Sequence, residues 1–73
     1  MIAANLRVAG QRQCQLMPHL RLGQAVFNLA HLLYPYPTSR LVGTELDPFY
    51  DDSRVEAFLK ELELQTSRPG IDT

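Results

Sequence analysis

Cys14 is the only cysteine in a chain of 73 residues, so neither an internal disulfide nor a multi-cysteine zinc site can staple the fold. Domains this short bury only about 60% of the surface that the unfolded chain exposes. Here side-chain packing must do the work alone. Leu, Ile, Val and Phe supply 21 of the 73 residues, enough for one modest core and no second domain. The longest apolar stretch, Leu29 to Tyr34, is interrupted by His31 and falls far short of the ~20 residues that a membrane-spanning helix needs. Asn5 and Arg7 break the apolar run that a secretory leader would need at the N-terminus. With one cysteine and no leader, a reducing, cytoplasmic setting is the expectation.

Two amphipathic stripes then set the architecture. Leu22, Val26, Leu29 and Leu33 recur at i, i+4, i+7 and i+11, which predicts a helix over about Leu20 to Leu33. Tyr34-Pro35 ends it, because proline lacks an N–H and disfavours helical backbone in the residue before it. Val55, Phe58, Leu59 and Leu62 form the second stripe and predict a helix over about Ser53 to Leu64. Ser53 and Glu56 have the spacing of a capping box, with Asp51 and Asp52 adding negative charge at the positive end of the helix dipole.

Between the stripes, Thr38 to Val42 reads as a short helical turn, capped by Thr38 or Ser39 and closed by Gly43 in a left-handed conformation. Asp47-Pro48-Phe49-Tyr50 reads as a β-turn with Asp47 first and Pro48 second. The expected fold is all-α: a small helical hairpin of two main helices with a helical turn between them. Its expected core is Leu22, Val26, Leu29, Leu33, Leu41, Val42, Phe49, Val55, Phe58, Leu59 and Leu62, with Phe49 plugging the gap between the helices.

Residues 1–16 show no convincing period, and Gly10 among Gln11, Gln13 and Gln15 gives the segment little to pack with. The expected organisation is a flexible or weakly helical extension over 1–18, a helical domain over 19–65 and a mobile tail over 66–73. Met17 opens the well-patterned region and is an alternative translation start.

Charge is unevenly distributed. Residues 1–40 carry Arg7, Arg12, Arg21 and Arg40 with no acid, whereas residues 41–73 hold three cations against eight acids. Complementary halves suit an internal contact or a contact between copies, and they fit poorly with a dedicated nucleic-acid binder. Glu45, Asp47, Asp51 and Asp52 lack the ligand spacing of a calcium loop. Cys14 with His19 or His31 is the only candidate for nucleophilic or metal chemistry, and no phosphate-cradling glycine loop accompanies it.

Gln24, Asn28 and His31 align at i, i+4 and i+7 as a polar stripe. Tyr34, Tyr36, Phe49 and Tyr50 gather around the prolines and are candidate anchors for a partner. With Gly23-Gln24, Asn28, Pro35 or Pro37, Gly43-Thr44 and Asp47-Pro48-Phe49-Tyr50-Asp51-Asp52, the segment from Leu20 to Leu62 resembles short uncharacterised proteins of bacteria and their viruses. That resemblance implies a prokaryotic or phage origin and a start near Met17, and it brings no activity with it.

The functional expectation is a small, non-enzymatic, homodimeric protein-interaction module without cofactor or metal. Its candidate partner-binding residues are Gln24, Asn28, His31, Tyr34, Tyr36, Phe49 and Tyr50. The alternative is a nucleic-acid-associated regulator using Arg7, Arg12, Arg21 and Arg40.

Overall fold

A computed structural model of the chain describes residues 2–67. Its elements run α1 (Ile2–Leu16), α2 (Leu22–Leu33), α3 (Pro35–Ser39), a single 3-10 turn (Asp52–Arg54) and α4 (Val55–Ser67). The described residues are all-α, with no strand and no helix long and apolar enough to cross a membrane. Thr66 and Ser67 belong to α4, and the rest of the expected tail lies outside the described residues.

The expected hairpin is corrected by α1, a third long helix where a loose extension was expected. Ala3, Ala4, Leu6, Arg7, Ala9, the glutamines and Leu16 are good helix formers even without a clear apolar period. The buried face of α1 is narrow: Leu6 is 3% exposed and Gly10 is buried, with Ile2 and Ala3 packing beside them. Gly10 is a point of close approach between helices rather than a break. A Cβ built there would sit 2.6 Å from Cγ2 of Val26 on α2. Helix α1 is tied to α4 as well, because the Arg7 guanidinium grips the Glu56 carboxylate at 2.8 and 2.6 Å.

Helix α2 gives the core Val26 and Ala30, and α4 gives it Val55, Phe58, Leu59 and Leu62, all fully or almost fully buried. Leu41 joins them from the connecting segment. Six of the expected core residues are therefore buried. Leu22, Leu29 and Phe49 are only half-buried. Leu33, the last residue of α2, and Val42, next to the inward-facing Leu41, are more than half exposed. Leu6 and Ala30, outside the expected core, belong to the buried cluster, and Ala25, Thr38 and Pro48 are buried as well.

The segment between α2 and α4 is held by side chains closing onto backbone. Its helical turn begins three residues before the expected Thr38, with Pro35 in the first position of α3, where a missing N–H costs nothing. Thr38 is buried inside that helix instead of capping it, and Ser39 donates back to the Pro35 carbonyl at 2.6 Å. Gly43 takes the expected left-handed conformation, with φ of 76°. Asp47 accepts from the Gly43 N–H at 2.7 Å and the Phe49 N–H at 3.0 Å. The hydrogen-bonded turn runs from the Pro48 carbonyl to the Asp51 N–H at 3.1 Å, one residue later than the sequence pattern placed it.

That loop is seated on the start of α2. The Asp52 carboxylate accepts from the Gly23 N–H at 2.9 Å, so an acid from 29 residues away caps a helix whose own preceding residue, Arg21, offers no oxygen. Gly23 lies so close to the buried Pro48 that a Cβ there would fall 2.0 Å from the Pro48 carbonyl oxygen. Arg21 completes the clasp by donating to the Phe49 carbonyl at 2.9 Å. The expected Ser53–Glu56 capping box is not what starts α4. Asp51 instead accepts from the Ser53 N–H and hydroxyl, at 3.0 and 2.6 Å, and Glu56 turns toward Arg7.

Candidate interaction surface

The described residues leave one side of the α1–α2 pair uncovered. Asn5, Val8, Arg12 and Leu16 on α1 recur at i, i+3, i+7 and i+11, so they line one face of the helix. With Leu29 of α2 they border an open hollow of about 360 Å³. A second hollow of about 220 Å³ adjoins it and is bordered by Met17, Leu20, Asn28 and Leu32. Gln13 and Leu29 line both, so the two hollows lie side by side as a divided groove between the helices. Four large apolar side chains on its rim are well exposed: Val8 53%, Leu16 74%, Met17 53% and Leu32 74%.

The polar groups in the groove are three amides, Asn5, Gln13 and Asn28, and one guanidinium, Arg12. Neither α1 nor α2 contains an aspartate or glutamate. Sequence pattern alone missed Val8, Leu16 and Met17, because residues 1–18 were expected to stand outside the folded domain, and it placed Leu32 beside the inward stripe of α2, whereas Leu32 is 74% exposed. The available signal was a second stripe on α1, with Val8, Ala9, Arg12 and Leu16 displaced around the helix from Leu6 and Gly10.

The polar stripe expected on α2 is divided among three tasks. Gln24 is half-buried, and its side-chain oxygen accepts from the Arg21 N–H at 3.3 Å. Asn28 is exposed and belongs to the groove. His31 is exposed, with its ring stacked on Phe27 at 6.0 Å between centroids. From there a row of rings leads away: Phe27 meets Phe49 edge-on at 5.5 Å, and Phe49 meets Tyr50 at 4.9 Å. Phe49 thus packs against the side of α2 instead of filling a gap in the core. Tyr50 and Tyr36 stand 81% and 82% exposed, while Tyr34 packs against the core.

The four arginines serve different places. Arg7 is paired with Glu56, Arg12 borders the groove, Arg21 holds the Phe49 carbonyl, and Arg40 lies exposed just after α3. Three titrations are displaced in this part of the molecule. The hydrogen bonds from Arg7 hold the Glu56 carboxyl below its ordinary range and raise the guanidinium in turn. The Ser53 hydroxyl, then the Ser53 N–H, hold Asp51 low, with Arg54 and Arg21 adding to the effect.

Cys14 is half-buried on α1 and His19 is exposed in the link to α2. No three His, Cys, Asp or Glu side chains among the described residues are grouped to hold a metal ion. Comparison with protein-family models, curated proteins and solved structures finds no match to this chain.

Proposed function

We propose that this chain is a small, non-enzymatic protein-interaction module whose binding surface is the α1–α2 groove. One observation carries the reading: Val8 and Leu16 are exposed at one hollow of the groove, and Met17 and Leu32 at the hollow that adjoins it. Scattered exposed apolar residues are ordinary on any surface, whereas a contiguous patch rimmed by polar groups marks a contact site. The groove offers amides and a guanidinium, which bind and orient but do not act as nucleophile or general base near neutral pH. That chemistry suits recognition better than turnover.

Self-association through the same groove is a second form of this reading, favoured by the small core. A standard interface takes about 800 Å² from each partner, roughly a sixth of the chain's 4961 Å² of accessible surface. Light scattering of the full chain, beside a Leu16→Ser/Leu32→Ser variant, tests both forms together with binding of an apolar fluorescent dye. Both leucines are largely exposed, so the variant is expected to keep its helical content. The expected result is dye binding by the native chain that the variant loses, together with loss of any dimer. Equal dye binding by the two proteins overturns the assignment of the groove.

A further inference from the structure

We propose, building on the groove as the binding surface, that its occupant is an acidic amphipathic helix of another protein. Its apolar side chains would lie on Val8, Leu16, Met17 and Leu32, and a carboxylate would pair with Arg12.

The charge of the groove argues for this occupant. Of the three arginines on α1, α2 and their link, Arg7 is held by Glu56 and Arg21 by the Phe49 carbonyl. Arg12 borders the groove, and no acid within either flanking helix can neutralise it. A cationic helix entering the groove would meet a like charge, and an acidic one its complement.

Length argues the same way. From Asn5 to Leu16 the α1 wall rises about 16 Å, three helical turns, which is enough to seat anchors at i, i+3 or i+4, and i+7.

The described residues of a second copy offer no such helix. Its acidic helix, α4, turns Val55, Phe58, Leu59 and Leu62 into its own core. Two grooves placed face to face would bring together α1–α2 surfaces that carry arginine and no acid.

The test uses the full chain and a labelled synthetic peptide of about three helical turns, with leucines at i, i+3, i+4 and i+7 and glutamates between them. A second peptide carries lysine in place of every glutamate. Fluorescence anisotropy is expected to show binding of the glutamate peptide, weakening by about three- to fivefold for the lysine peptide at low salt. Arg12→Glu is expected to reverse that preference. Leu16→Ser/Leu32→Ser is expected to abolish binding of both peptides with the circular dichroism spectrum unchanged.

Equal binding of the two peptides, or a preference that Arg12→Glu leaves intact, overturns the acidic helix. Failure of both peptides, with a dimer that the leucine variant breaks, overturns it too and leaves the interaction module with a second copy as its partner. Failure of both peptides with no dimer and no dye binding removes the module as well.

Discussion

Gly23→Ala sets local helix propensity directly against tertiary packing. Gly23 sits in the first turn of α2 with ordinary helical backbone, so propensity alone predicts that alanine stabilises the chain by about 1 kcal/mol. The surroundings predict the opposite. The new Cβ would lie 2.0 Å from the Pro48 carbonyl oxygen, 3.0 Å from its carbon and 2.8 Å from the Asp52 carboxylate. The nearest atom is backbone, so the Pro48 loop must lift off α2 by roughly 1 Å or more. Lifting it stretches the bond from the Gly23 N–H to Asp52 and uncovers the buried Pro48.

Overpacking costs about 1–3 kcal/mol and a lost hydrogen bond to a carboxylate about 1.5–3. After the propensity gain, the net destabilisation is about 1.5–5 kcal/mol. A chain of this length has about 4–11 kcal/mol of stability in total, so the loss is large enough to read without ambiguity. Urea and thermal unfolding followed by circular dichroism should show a melting temperature lower by at least about 6 °C. Gly10→Ala is the milder comparison: its Cβ would meet the buried Val26 Cγ2 at 2.6 Å but no backbone nearer than 3.5 Å, and it should lose about 0–2 kcal/mol, less than Gly23→Ala. A Gly23→Ala protein as stable as the native one would refute the clasp between the Pro48 loop and α2.

Asp52→Ala should destabilise by about 1.5–2 kcal/mol through loss of the cap on α2, and combining it with Gly23→Ala should cost less than the sum, because both break the same contact; additive losses in chemical denaturation would separate the two. Thr38→Val should be neutral or stabilise by up to about 1 kcal/mol, since the buried Thr38 hydroxyl oxygen has no hydrogen-bond partner among the described residues; a clear loss on thermal unfolding would mean that the hydroxyl is satisfied. Glu56 and Asp51 are held below their ordinary values of 4.5 and 3.8, so both stabilise the fold fully above those values and lose that contribution as pH falls through the lower folded-state values. The melting temperature should therefore fall on acidification below about pH 5. In Glu56→Gln the fall should be shallower and the native-pH dependence on salt reduced, and a native profile that rises on acidification contradicts the pairing.

The parts of this molecule legible in the sequence are those whose cause is local or periodic. Helix α2, the α4 stripe and the left-handed Gly43 each follow from spacing or from one residue's backbone freedom. The parts that were not legible depend on who meets whom. Asp51 and Asp52 both look like caps for the helix that follows them, yet Asp52 caps α2 from far along the chain, and no pattern within α2 announces a donor in need of it. Leu33 and Val42 satisfy an apolar pattern but fall where the chain turns away from the core.

Gly10 and Gly23 make the deeper point. A glycine in a helix weakens that helix by about 1 kcal/mol, and read alone it argues against the element. Here Gly10 lies against Val26 and Gly23 against Pro48, so each gives up helix propensity for a close approach between segments distant in sequence. The cost is local and visible in the sequence, whereas the gain appears only when both partners are in place. The same reasoning explains why the groove escaped notice. Once Gly10 is read as a contact rather than a break, α1 becomes a full helix, its Leu6 face turns inward, and Val8, Arg12 and Leu16 are carried around to a face that the rest of the described chain leaves open.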